Sequence, residues 1–115
     1  MIQAILAPVG AYLLAFATWM LYLAAMAIIP KKSRLSPVAK AHAYVLVSVA
    51  IVMDAVLNII VASVLFLDPP RDLLLTGRLK RYIRDPQEFP WRRALALWVC
   101  EHLLDPFDPD GNHCG

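Results

Sequence analysis

Glycine, serine and cysteine are all scarce in this chain, and charge is nearly absent from more than half of its first seventy residues. Four glycines and four serines among 115 residues leave no Gly/Ser-rich stretch that would tether separate domains, so a single short chain with one change of character is expected. Two cysteines, Cys100 and Cys114, are too few for a disulfide-built scaffold. The sequence has no Gly-rich phosphate loop, no linear Ser/His/Asp set and no closely paired carboxylates, so neither an enzyme nor a cofactor is expected. The first twenty residues lack the positively charged n-region of a secretory signal and read as the start of a retained span.

What is present is apolar and concentrated. Hydrophobic residues make up 60% of the chain, and they gather in two runs instead of spreading with one period along its length. The first, Ile2 to Ile29, carries no charge and stops at Pro30, Lys31, Lys32 and Arg34. Residues 9–29 alone make about 31 Å of helix, the thickness of a bilayer's hydrocarbon core. The second run, Ala41 to Leu67, ends at Asp68-Pro69-Pro70, which cannot continue a helix. It holds Asp54 near its centre. That carboxyl opposes insertion by about 2.5–3.5 kcal/mol, while the fourteen Val, Ile, Leu and Phe from Val45 to Phe66 each return about 0.3–0.6. Insertion is favoured.

The link of about ten residues between the runs forces antiparallel neighbours. The expected fold is therefore an all-α membrane protein: a two-helix transmembrane hairpin over residues 1–70, with spans at about 9–29 and 41–67, and a basic tail over 71–115. Within the tail, residues 71–84 read as an amphipathic helix with Leu75, Leu79, Tyr82 and Ile83 on one side and Arg71, Arg78 and Arg81 on another. Residues 91–104 read as a second, too short to span, with Pro90 suited to its first turn and Trp91, Leu95 and Trp98 suited to an interface. Orientation by positive charge is nearly tied between Lys31, Lys32, Arg34 and Lys40 in the loop and the arginines of the tail. Counting both tails favours cytoplasmic ends in a bacterial inner membrane.

Three constellations invite chemistry. Asp54 and Asn58, one turn apart, join Ser48 in a candidate intramembrane polar seam that would glue helices together or line a path. Arg78, Lys80, Arg81 and Arg84, with Arg92 and Arg93, form a candidate site for anionic lipid headgroups, each cation contributing about 1 kcal/mol at such a surface; nucleic acid is not expected. Cys100, His102, His113 and Cys114 have zinc-ligand chemistry, but Cys100 and His102 point apart on a helix, so free thiols are expected ahead of zinc or a disulfide. Asp108-Pro109-Asp110-Gly111 fits a type I turn and not a calcium loop. His42 reads as an interfacial polar residue.

The segments LTGRLKRYIRD, WRRALALWVCEHLLDPFDP and GNHC, across residues 73–114, resemble the C-terminal half of small two-span inner-membrane proteins of tailed phages and prophages. The two spans, tight loop and charged tail are also similar in architecture to phage holins. The resemblance implies a protein that oligomerises and perturbs the membrane. The alternative it allows is a membrane-anchored regulator of a host membrane complex, as in superinfection exclusion. The partners expected are the lipid bilayer and either further copies of the chain or a host membrane protein.

Overall fold

The computed structural model describes residues 1–114, and every regular element among them is helical. Helix α1 covers Ile2–Ile28, and a 3-10 turn at Ile29–Arg34 follows it. Helix α2 covers Pro37–Leu57 and runs on through a π-helical turn, Asn58–Ala62, into a last α-helical turn, α3, at Ser63–Leu65. The tail holds α4, Leu75–Arg84, and α5, Pro90–Val99. A second π turn at Cys100–Leu104 and a 3-10 turn at Asp105–Phe107 complete it. Pro90 occupies the first turn of α5, where its missing N–H would have lacked a partner anyway. Helix α4 starts four residues later than the pattern suggests, because Pro69, Pro70 and the chain up to Leu74 stay extended or bent.

The chain divides into two compact units, and the second begins at Asn58 rather than after Pro70. In the first unit α1 and α2 pack side by side. Thr18 and Ala25 are the buried positions of α1, seven residues apart, and Thr18 donates its hydroxyl to the Leu14 carbonyl at 2.7 Å. Small side chains at the contact let the backbones approach. Elsewhere Ile5, Leu13, Phe16, Val45 and Val52 stand in the open. Only 11% and 17% of the most apolar windows of the two long helices are buried. A helix from a water-soluble core would be mostly covered, whereas continuous exposed apolar surface suits lipid. Both helices, Ile2–Arg34 and Pro37–Leu65, are long and apolar enough to cross a membrane. His42 lines an apolar hollow at the loop end with Ile28, Leu35 and Leu46, its ring bonded to the Val38 carbonyl.

The second unit has its own core. Phe66, Leu79, Tyr82, Ala96, Cys100, Leu104 and Cys114 are buried, with the Phe66 and Tyr82 rings 4.8 Å apart. Cys100 and Cys114 form a disulfide, their Cα atoms 6.0 Å apart, which corrects the expectation of free thiols. The turn at Asp108–Gly111, closed by the Gly111 N–H on the Asp108 carbonyl, reverses the chain. Asp105 then accepts the backbone N–H groups of His113 and Cys114, which sets Cys114 against Cys100. In the chain-entropy account, a bridge over fourteen residues contributes about 3 kcal/mol.

Leu67 sits at φ +52°, the left-handed position of a helix C-cap that glycine normally fills. Its N–H bonds the Val64 carbonyl and the Asp68 N–H bonds the Ser63 carbonyl, the paired pattern of a Schellman ending. A side chain there costs about 1–2 kcal/mol, offset in part by glycine's greater chain entropy. Leu67→Gly is therefore expected to stabilise the second unit by about 0.5–1 kcal/mol, measured as a raised midpoint of thermal unfolding in detergent micelles.

Candidate functional site

A helix ends with carbonyls that have no intrahelical partner of their own. Here two arginines from the tail supply partners. The Arg92 guanidinium donates to the carbonyls of Phe66 and Leu67, both at 2.8 Å, and also bonds Glu88. Arg78 donates to the Asp68 carbonyl at 3.0 Å and to the Asn58 carbonyl at 3.1 Å. Positive charge is also the favourable sign at a helix C-terminus.

Arg78 is fully buried and makes five bonds, one for each guanidinium N–H. Besides the two carbonyls, it reaches Asn58 Oδ1 at 2.6 Å, the Tyr82 hydroxyl at 3.1 Å and the Ser63 hydroxyl at 2.9 Å. Asn58, equally buried, gives its amide hydrogens to the carbonyls of Asp72 and Leu73. Tyr82 passes a hydrogen bond on to Asp68 at 2.8 Å, and Arg81 bridges Asp68 and Asp72. The network is closed: among the described residues, no buried side-chain polar atom lacks a partner. Burial works to raise the Asp68 carboxyl, but bonds from Tyr82 and Arg81 and the charges of Arg81 and Arg92 outweigh it and leave the group below its ordinary value. Burial and the bond to Asp68 push the Tyr82 phenol up, so it stays a neutral donor.

This arrangement revises the residues picked out from the sequence. Arg78 cannot hold lipid headgroups, because its side chain lies inside the protein. The amphipathic pattern assigned it to solvent, as arginine usually is, but Tyr82 one turn on and Asn58 across from it supply acceptors there. Arg81 and Arg92 are engaged with carboxylates, and Arg93 with the carbonyls of Tyr82 and Asp85 at the end of α4. Lys80 is half-buried and Arg84 is exposed.

The seam divides as well. Asn58 belongs to the Arg78 network rather than to a helix-helix contact in mid-membrane. Asp54 is half-buried and has a partner. Ser48 is exposed and bonds the Tyr44 carbonyl. Six residues separate Ser48 from Asp54, which at 3.6 per turn puts it about 120° round the helix.

The tail's histidines are tied down. His102 stacks on Trp98 and bonds its carbonyl. His113 lies between the Thr76 hydroxyl, 3.1 Å from Nε2, and Asp108, 2.9 Å from Nδ1, fastening the last turn to α4. With both thiols in the disulfide, Cys100, His102, His113 and Cys114 do not converge, and among the described residues no set of three or more such side chains is placed to hold a metal. The His113 contact and the Asp110 N–H hold the Asp108 carboxyl low. The Thr76–His113–Asp108 line was not visible in the sequence, since 37 residues separate Thr76 from His113.

No known protein family, curated protein or solved structure matches the chain. The site is therefore read from its own chemistry.

Two outcomes test that chemistry. Arg78→Lys has three donors for five acceptors and is expected to lose about 2–6 kcal/mol, two unpaired groups at about 1–3 each, measured by thermal unfolding of the full chain in micelles. A depressed carboxyl adds stability that is complete above its unfolded value of about 3.9 and is lost as pH falls through the lower folded value. The unfolding midpoint should therefore be flat from neutral pH to about 5 and drop below about 4, with Asp68→Asn lowering the plateau and flattening the drop.

Proposed function

We propose that this chain is an integral membrane protein in which the apolar hairpin serves as anchor and residues 58–114 serve as a folded effector that engages a partner at the membrane surface. The observation that supports this most is the fully paired burial of Arg78, because a buried network of that kind specifies one tail structure. A hairpin that only perturbs lipid has no use for such a tail. For a chain whose tail resembles those of phage and prophage inner-membrane proteins, the fitting role is regulation of a host membrane complex.

The effector surface is aromatic. Phe89, Trp91, Leu97, Trp98 and Phe107 are exposed, and Trp91 stacks at 6.5 Å on Phe66, one residue beyond the final turn Ser63–Leu65. That holds the face close to the end of the second span, within reach of a partner in the same membrane. Trp is the residue most enriched where partners bind tightly.

A second reading, the holin-like one, is that the hairpin oligomerises and permeabilises the membrane. Asp54 favours it, since an ionisable group within a span is a functional-site candidate. Membrane potential and survival of cells producing the full chain separate the two. The anchored-regulator reading expects an intact potential in the unmodified chain and in Asp54→Asn. Depolarisation that Asp54→Leu abolishes and Trp98→Ala leaves unchanged would establish the holin-like reading instead.

A further inference from the structure

We infer that the folded tail lies in an oxidising, extracytoplasmic compartment and that the loop carrying Lys31, Lys32, Arg34 and Lys40 faces the cytoplasm. This reverses the orientation favoured by counting charges alone, and it does not depend on which function is correct.

The first ground is the Cys100–Cys114 disulfide. It belongs to the tail's core, where both cysteines are buried, and it is held in register by the Asp105 carboxylate on the backbone of His113 and Cys114. Structural disulfides form and persist in the periplasm or its equivalents, and the cytosol keeps such thiols reduced. The two cysteines are bonded to each other, and among the described residues no metal set competes for them.

The second ground is electrostatic and separate from the first. Lys31, Lys32 and Arg34 are exposed, Lys40 is half-buried, and no acidic residue lies within the loop. In the tail, seven Lys and Arg between residues 68 and 114 stand against eight Asp and Glu. Arg81 and Arg92 pair with Asp68, Asp72 and Glu88, and Arg78 and Arg93 bond backbone carbonyls. The tail presents little net positive charge to either side, and the loop presents nothing else. Orientation follows the Lys and Arg of short loops, whereas folded domains cross largely regardless of their charge, so the loop's four cations outweigh those of the folded tail and stay on the cytoplasmic side. With an even number of spans, both chain ends then lie outside.

Thiol labelling of the full chain in intact bacterial spheroplasts tests this. Cells are acid-quenched and treated with a mass-tagging maleimide, before and after reduction, to read the disulfide. A membrane-impermeant reductant followed by an impermeant maleimide reads the side, with Ser33→Cys reporting the loop. The expected result is no tagging of Cys100 or Cys114 until reduction, tagging of both after the impermeant reductant, and a loop cysteine that reacts only once the membrane is opened. Free thiols on acid quench would overturn the inference, and so would a loop cysteine that reacts in closed spheroplasts, with or without tail labelling. A Cys100→Ser, Cys114→Ser chain carrying Ser33→Cys repeats the loop reading without the disulfide, so the side is also measured independently of the bridge. Loop protection in that chain as well is the expected outcome.

Discussion

The rest of the second unit depends on one constraint: the carbonyls at the end of the second long helix must find donors within the protein. A helix that stops in water leaves its last four C=O groups to the solvent. This one stops against Pro69 and Pro70, neither of which has an N–H to give. The Schellman bonds of Leu67 and Asp68 close part of the gap, Arg92 takes the carbonyls of Phe66 and Leu67, and Arg78 takes that of Asp68. Arg78 reaches back as far as Asn58, where the π turn leaves a carbonyl that Ser63 and Arg78 share. The tail's helices are thereby arranged around guanidinium groups as much as around apolar side chains.

That constraint accounts for the unusual use of charge. A basic juxtamembrane segment is ordinarily a lipid-binding one, but cations inside a hydrogen-bond network cannot also attract phosphates. Asp68, Asp72 and Glu88 would be awkward neighbours in a headgroup site; in the network they pair with Arg81 and Arg92, while buried Arg78 is held by neutral acceptors. The outside of the tail carries four exposed aromatic side chains, Phe89, Trp91, Trp98 and Phe107.

The sequence carried the coarse architecture well. Two apolar runs of spanning length, a proline at each exit and Pro90 opening α5 are local signals, and the Asp-Pro-Asp-Gly turn is another. The features it concealed are those that need distant partners. Arg78 and Asn58 lie 20 residues apart, and hydrophobic periodicity assigns one to solvent and the other to the membrane. Cys100 and Cys114 meet only because an Asp-capped turn reverses the chain, and helix spacing around Cys100 points the other way. The faint signal for Arg78 was its position four residues before Tyr82, which lets two long polar side chains turn inward together.

The central claim is that Arg78 and Asn58 act together to join the end of the second long helix to the tail. A double-mutant cycle measures it directly. Arg78→Met, Asn58→Ala and the combined variant are unfolded as full chains in micelles and followed by tail tryptophan fluorescence. Coupled residues in one network interact by about 0.5–3 kcal/mol, and independent ones add within about 0.5. This structure predicts coupling of about 2 kcal/mol, with the second substitution costing far less once the first is present. Additive losses would show that the two side chains stabilise the protein separately and would contradict the account.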